Sequence, residues 1–390
     1  MSAGNGSELH ALTMPKWGMA MTEGKVIAWL KETGSPVKAG DDVFEVETEK
    51  IVNVVESQAE GILLAQIAKV DESFPVGGLI GVIGPAEATS EQVQDFVSGF
   101  QERFQEFLQE HGTAGAIDPS NIEVQGKSLR YLPLGEGGSP KVLIHGMGSD
   151  LNSWLFNHAA LADTGATFAL DLPGHGGSYK TLETGDVAEL TAATLGFLDS
   201  LELGRVHLVG HSLGGSVAAQ LASENPSRVY SLTLISSLGP GTRVQPDFLE
   251  SFLKAGRRKA MKACLTRLVA DPEMITRDLV ENVLRVKRIE GVEESWAKIH
   301  QQAIVEPAQS VDGAPFGVLE RLVQQGTPVQ VVFGAEDRIV SAPLPSDLPQ
   351  GVELHLIEHA GHIPHMEAAA KVNQLLLEFM ARHSEPSGAI

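Results

Sequence analysis

At 390 residues the chain is too long for one small domain and has room for a small module beside a larger, core-bearing one. Its formal charge of −21 and pI near 5.0 exclude general binding to nucleic acid or to an anionic membrane; solubility is the plain use of the excess acid. A single cysteine, Cys264, excludes an internal disulfide framework and suits a reducing cytoplasm, and the sequence holds neither an apolar secretion segment nor a span of roughly 18 apolar residues.

The first pattern along the chain is alternation. Phe44, Val46 and Thr48 share one face of a run whose other face carries Glu45, Glu47 and Glu49, and apolar alternation resumes through Val52 and Val54 after Lys50. Two strands are predicted to meet at a tight, exposed turn that holds Lys50 between acidic neighbours. Such a lysine, taken alone, is a solvated charge. An Ala/Glu/Thr/Ser-rich join follows at residues 85–90, and then Val93, Phe96, Val97, Phe100, Phe104, Phe107 and Leu108 recur at helical spacing. Thr89 with Gln92 offers a capping box at the start of this helix and Gly112 a stop at its end. Its apolar face is expected to pack on the following domain, with a docking or oligomerisation helix as the alternative.

From about Asn121 short apolar runs alternate with helical stretches. Lys141-Val142-Leu143-Ile144, Thr167-Phe168-Ala169-Leu170, Val206-His207-Leu208-Val209, Leu232-Thr233-Leu234-Ile235, Val329-Gln330-Val331-Val332-Phe333 and Glu353-Leu354-His355-Leu356-Ile357 are the predicted strands. Near-continuous apolar runs of this kind indicate a buried parallel sheet covered on both faces, with functional residues at the carboxyl ends of its strands. Gly210-His211-Ser212-Leu213-Gly214 stands at such an end and is followed by the small-residue stretch 216–222, giving the strand, sharp turn and helix that a Gly-x-Ser-x-Gly nucleophile turn requires. A serine nucleophile needs a base, and the base an orienting acid. His362 follows the last predicted strand, with His359 and His365 as rivals; Asp337 and Glu336 follow the strand before it.

Two resemblances sharpen these readings. Met14-Pro15-Lys16-Trp17-Gly18-Met19, Thr22-Glu23-Gly24, Gly34, Thr48-Glu49-Lys50-Ile51 and Glu60-Gly61 together resemble the lipoyl domains of 2-oxo acid and acetoin dehydrogenase complexes over residues 9–84. Gly34 and Gly61 would supply the positive φ or close approach that a small, tightly turned sandwich needs. Biotin carriers share the fold but resemble Ala-Met-Lys-Met at the modified lysine, so the resemblance implies lipoate on Lys50. Residues 122–383, within a catalytic domain at 122–385, resemble the α/β-hydrolase family: the serine turn, a Gly-x-x-Asp acid turn at Asp337, the Gly361-His362 pair, and His145-Gly146-Met147-Gly148 as the oxyanion turn. The family implies Ser212, His362 and Asp337 as the catalytic triad, the backbone N–H groups of Met147 and Leu213 as the oxyanion hole, a structural role for Asp171-Leu172-Pro173-Gly174-His175-Gly176, and a helical cap at about residues 240–315. Residues 85–121 are left as a linker with an amphipathic helix.

A lipoyl sandwich joined to an α/β-hydrolase-type domain resembles the dihydrolipoamide acetyltransferase family of bacterial acetoin dehydrogenase complexes. The resemblance implies acetyl transfer from lipoyl-Lys50 to coenzyme A, thiamine-diphosphate-dependent acetoin dehydrogenase subunits and dihydrolipoamide dehydrogenase as partners, and a cytoplasmic homo-oligomer. The His-x-x-x-Asp-Gly of pyruvate dehydrogenase acetyltransferases is missing, since Ala308 stands where Asp312-Gly313 would require the histidine, and no peripheral subunit-binding domain is recognisable. No metal is implied. A basic run without intervening acid, Lys254, Arg257, Arg258, Lys259, Lys262 and Arg267, offers Arg257, Arg258 and Lys259 as candidates for coenzyme A phosphates; a solvated face or a dock for an acidic lipoyl domain are the other uses. Two other functions stay open: a thioesterase or esterase releasing the acyl group to water, and a carrier scaffold with a vestigial hydrolase domain.

Overall fold

In the computed structural model the described residues are 9–15, 23–48, 52–57, 59–111, 119–237, 245–305 and 317–384. The chain divides into two compact units, Met1–Asp118 and Pro119–Ile390. Lys16, Trp17, Gly18, Met19, Thr22, Glu49, Lys50, Ile51, Gly112, Ala308, Asp312 and Gly313 lie outside the described residues.

The first unit contains strands β1 (His10–Thr13), β2 (Glu23–Trp29), β3 (Pro36–Val37), β4 (Asp42–Glu47), β5 (Val52–Glu56), β6 (Gly61–Gln66), β7 (Glu72–Pro75) and β8 (Leu79–Gly84). They form two four-stranded antiparallel sheets, ordered β1-β8-β6-β3 and β5-β4-β2-β7. The core follows the alternation: Phe44 and Val46 are fully buried beside Val26, Leu63, Ile80 and Ile83, while Glu45 and Glu47 are only partly covered. Val43 is buried as well, because the β4–β5 register shifts between Asp42 and Phe44 and the irregularity turns an extra side chain inward. Strands β4 and β5 pair in the register Glu47↔Val52, so residues 48–51 connect them. Gly34 has φ +90°, and a Cβ on Gly61 would stand 2.6 Å from Gly84 O, so the two glycines answer the two needs expected of them.

Helix α1 (Ser90–His111) begins with the expected capping box: Thr89 Oγ1 accepts from Gln92 N–H (3.2 Å) and Gln92 Oε1 from Thr89 N–H (2.8 Å). Part of its apolar face meets the unit to which the helix belongs. Phe104, stacked on Phe100, lies against Gly77, where a Cβ would stand 3.3 Å from the ring. The helix therefore packs on the β unit that precedes it.

The second unit is built on one eight-stranded sheet. Its strands are β9 (Ser120–Val124), β10 (Lys127–Leu134), β11 (Lys141–Ile144), β12 (Thr167–Leu170), β13 (Val206–His211), β14 (Val229–Ile235), β15 (Val329–Gly334) and β16 (Glu353–Ile357). The order is β16-β15-β14-β13-β11-β12-β10-β9, parallel from β12 to β16 and antiparallel at the β9–β10 and β10–β12 pairs. All six predicted strands are present. Helices α2 (His158–Ala162), α3 (Val187–Ser200) and α4 (Leu213–Glu224) follow β11, β12 and β13. Leu208, Val217, Ala218, Leu232 and Phe333 share a core with Leu190 and Phe197.

Between β14 and β15 the chain forms the cap helices α5 (Pro246–Lys254), α6 (Arg258–Leu265), α7 (Arg277–Lys287) and α8 (Val292–Ile299), then returns through α9 (Gly317–Gln324). Phe248, Phe252 and Trp296 are buried here, with Phe252 stacked between the other two. Lys287, only 3% exposed, drives its ammonium into the end of α5, donating to the carbonyls of Phe252 (3.2 Å), Leu253 (2.8 Å) and Ala255 (3.0 Å). Phe252 O also accepts from the Ala255 N–H (3.2 Å), and the ammonium meets the carbonyl-rich end of the helix, where the dipole is negative. After β16 come α10 (Pro364–Glu367) and α11 (Ala369–His383). No described helix is long and apolar enough to cross a membrane.

Candidate active site

Four parallel strands of the sheet, β11, β13, β15 and β16, deliver the candidate residues at their carboxyl ends. Ser212 occupies the one-residue turn between β13 and α4 at φ 51°, ψ −117°, outside the favoured range for any side-chain-bearing residue. Glycines permit the turn: a Cβ on Gly210 would stand 2.4 Å from Gly214 O, and one on Gly214 2.3 Å from Ile144 O. Ser212 N–H donates to Ile235 O (2.9 Å), and Ser237 Oγ donates to Ser212 O (2.9 Å), so the strained backbone is held from β14.

Asp337, after β15, accepts from His362 Nδ1 at 2.8 Å through Oδ2; its Oδ1 accepts from the N–H groups of Ile339 (2.8 Å) and Val340 (2.9 Å). A carboxylate only accepts, so the proton sits on Nδ1 and Nε2 is left as the basic nitrogen. The pair is nearly solvent-free, with side chains 5% and 1% exposed. The rival residues lie elsewhere. His359 is 94% exposed, 3.7 Å from Glu336, whereas His365 is sealed between Trp154 and His211 with neither ring nitrogen hydrogen-bonded. Burial pushes His365 down to about 3.

The oxyanion turn of residues 145–148 follows β11, and a Cβ on Gly146 would touch the Ser212 Cβ at 3.1 Å. Two neutral histidines shape the turn. Leu172 N–H donates to His145 Nε2 (3.0 Å), whose Nδ1 donates to Gly146 O (2.8 Å); Gly148 N–H donates to His175 Nε2 (3.1 Å), whose Nδ1 donates to Pro173 O (3.1 Å). Burial holds both rings below the ordinary histidine range, so neither carries charge. Asp171 is fully buried and accepts from Leu151 N–H, Gly177 N–H and Arg130 Nε, which makes the 171–176 segment the structural brace expected of it. The N–H groups of Met147 and Leu213 have no acceptor among the described residues and remain available to a developing oxyanion.

The basic run is divided. Lys254 pairs with Glu250 (3.1 Å) one turn back on α5, Arg258 with Glu281 of α7, and Arg267 with Asp247 of α5 (3.0 Å), so acids of the cap consume half of it. Arg257, Lys259 and Lys262 are exposed and form no ion pair among the described residues. Two contributors to the site carry no motif of their own. His211 Nε2 donates to His362 O (2.9 Å), and Glu367 accepts from Gly361 N–H (2.8 Å); burial raises the Glu367 carboxyl.

A serine at a positive-φ turn after β13, a hydrogen-bonded Asp–His pair after β15 and β16 and a glycine-rich turn after β11 stand on an α/β-hydrolase fold. The alpha/beta hydrolase family model matches residues 142–375, and that of biotin-requiring enzymes, covering biotin and lipoyl carriers, matches residues 10–83. The chain is 43% identical over 380 residues to the dihydrolipoyllysine-residue acetyltransferase component of the acetoin cleaving system of Pseudomonas putida, covering 97% of this chain and 100% of that one. The corresponding component of Cupriavidus necator is 36% identical over 365 residues, covering 94% and 96%. Among solved structures, the 2-hydroxy-6-oxo-6-phenylhexa-2,4-dienoate hydrolase of Rhodococcus sp. strain RHA1 superposes with a TM-score of 0.57 at 23% identity, covering 68% of this chain and 100% of that one, a likeness of fold. The chain belongs to the family of dihydrolipoyllysine-residue acetyltransferase components of acetoin cleaving systems.

Proposed function

We propose that this chain moves an acetyl group from lipoyl-Lys50 to coenzyme A through Ser212, His362 and Asp337. One observation carries the reading: the chain that holds a biotin/lipoyl-type sandwich also holds a positive-φ serine beside strand ends bearing a buried Asp337–His362 pair. Lipoate on Lys50 would supply a thiol that bears the acyl group as a thioester. The β4–β5 register fits that use, because residues 48–51 bridge a paired Glu47 and an exposed Val52.

In the first half-reaction Ser212 Oγ gives its proton to His362 Nε2 and attacks the thioester carbonyl, while the Met147 and Leu213 N–H groups hold the oxyanion. His362 returns the proton to the departing sulfur, leaving the acyl group on Ser212. In the second half His362 takes the coenzyme A thiol proton, the thiolate attacks the acyl-serine carbonyl, and the proton returns to Ser212 Oγ as it leaves. Asp337 stabilises the imidazolium formed in each half. Arg257 and Lys259, exposed on the cap, are offered to the coenzyme A phosphates together with Arg258, whose pairing with Glu281 weakens its claim. A thiamine-diphosphate enzyme that cleaves acetoin and a dihydrolipoamide dehydrogenase complete the cycle, and residues 9–84, 85–121 and 122–385 act as carrier, linker and catalytic domain.

The test supplies acetyl-dihydrolipoamide and coenzyme A to the lipoylated full-length chain and measures both products. Stoichiometric acetyl-CoA supports transfer. Acetate in its place assigns hydrolysis, and full complex activity with Ser212→Ala assigns a carrier scaffold.

A further inference from the structure

The turn that presents His362 is gripped from the cap. His362 N–H donates to Leu268 O at 2.7 Å, and a Cβ on Gly361 would stand 2.7 Å from Leu268 O and 2.9 Å from Val269 Cα, so the cap chain at residues 268–270 lies directly on this turn. One side chain spans both segments. Glu367 Oε1 accepts from Gly361 N–H at 2.8 Å, and Oε2 accepts from Ala270 N–H at 2.7 Å. Both partners are donors and each oxygen of the carboxylate takes one, an arrangement that no uncharged side chain of this size reproduces. Glu367 itself is anchored one turn from the base, its own N–H donating to Ile363 O at 3.0 Å.

We propose that Glu367 is a positioning residue whose carboxylate locks the cap segment at residues 268–270 to the Gly361-His362 turn, so that the base is aligned only while the cap is seated. This rests on His362 being the base. The remaining anchors of His362 come from strands of the sheet: Asp337 fixes the ring from β15 and His211 holds the carbonyl from β13. The cap contacts are the ones that a displacement of the cap would break, and a shift of the base by a fraction of an ångström is costly to proton transfer.

Glu367→Gln is the isosteric test, since the amide keeps one acceptor and turns its NH2 against the other N–H. In the lipoylated full-length chain, the rate constant for phosphonylation of Ser212 by a fluorophosphonate, counted per folded molecule, and kcat for transfer should each fall about tenfold. The coenzyme A KM should stay within about twofold. Amide exchange should rise together in peptides covering residues 266–271 and 358–366. A phosphonylation constant per folded molecule within about twofold of wild type overturns the proposal whatever the loss of stability, as does faster exchange confined to one of the two segments. If Glu367→Gln does not fold, Ala270→Pro removes the cap-side donor alone; the same tenfold loss sustains the proposal and a wild-type constant overturns it. His362→Ala separates the two readings. If that variant is phosphonylated at the wild-type rate, the base assignment fails; if it is slowed while Glu367→Gln is unimpaired, only the positioning role fails.

Discussion

His365→Leu should make the protein less sensitive to acid. His365 is fully buried between Trp154 and His211, has no hydrogen-bond partner on either ring nitrogen, and is pushed from 6.5 down to about 3 by burial. A folded-state pKa below that of the unfolded chain means that the unfolded chain binds the extra proton as pH falls. The stabilisation is therefore complete above about 6.5 and is lost progressively toward 3. Between pH 7 and pH 5 the loss from this one residue is about 2 kcal/mol. Leucine has nearly the same volume and does not titrate, and the ring contacts it forfeits, about 1 kcal/mol, are lost equally at both pH values. Urea unfolding followed by tryptophan fluorescence at pH 7 and pH 5, compared between wild type and variant, isolates the difference. The wild type should lose about 2 kcal/mol more than the variant over this interval. Equal losses would mean that the folded ring protonates as freely as the unfolded one, and the argument from burial would be wrong.

Ser212→Ala should lower acetyl transfer by about 10³-fold or more in a coupled acetyl-CoA assay, with lipoylation of the same chain unchanged by intact mass. Peptide mapping of the chain expressed with lipoylation competence should find lipoate on Lys50, and Lys50→Arg should abolish it; biotin at that position, or lipoate on Lys16 or Lys25, refutes the carrier assignment. Lys287→Met should cost about 2 kcal/mol in urea unfolding at pH 7, because the carbonyls of Leu253 and Ala255 lose this donor while Phe252 O keeps the Ala255 N–H. Arg257→Ala with Lys259→Ala should raise the coenzyme A KM several-fold, an effect that added salt imitates, without changing reactivity toward a small neutral ester. An unaltered KM removes the cap from coenzyme A binding, and a rise confined to the lipoyl substrate makes the basic face a docking surface.

The residues that were legible in the sequence are those whose local backbone demands are severe. Gly210 and Gly214 flank Ser212 because nothing larger fits there, and Phe44 and Val46 alternate with glutamates because one face of their strand is buried. Strands β11 to β16 stand out as apolar runs because helices cover both their faces. The β9–β10 hairpin was hidden by its turn: Gln125 takes φ 52° before Gly126 at 74°, a position where asparagine or aspartate is the usual signal. Position after the last strand left His359, His362 and His365 open, and the Gly361-His362 resemblance chose His362, the ring that meets Asp337 in the fold. The roles of Glu367 and Lys287 were invisible for a different reason. Each partners backbone groups distant in sequence, and backbone groups leave no mark on composition or spacing.

Leu268 bears on how this architecture can be rebuilt. The cap enters after β14 and leaves through α9 into the adjacent β15, so its removal would leave an ordinary strand-helix-strand unit and the cap looks like an exchangeable cassette. Yet the carbonyl of Leu268 is the acceptor for His362 N–H. A graft from another hydrolase that matches the entry and exit strands would preserve the sheet and still strip the histidine of a hydrogen bond, unless the donor cap offers a carbonyl at the same point. Chimeras chosen by that carbonyl, rather than by length or sequence similarity of the insert, are the ones expected to keep their activity.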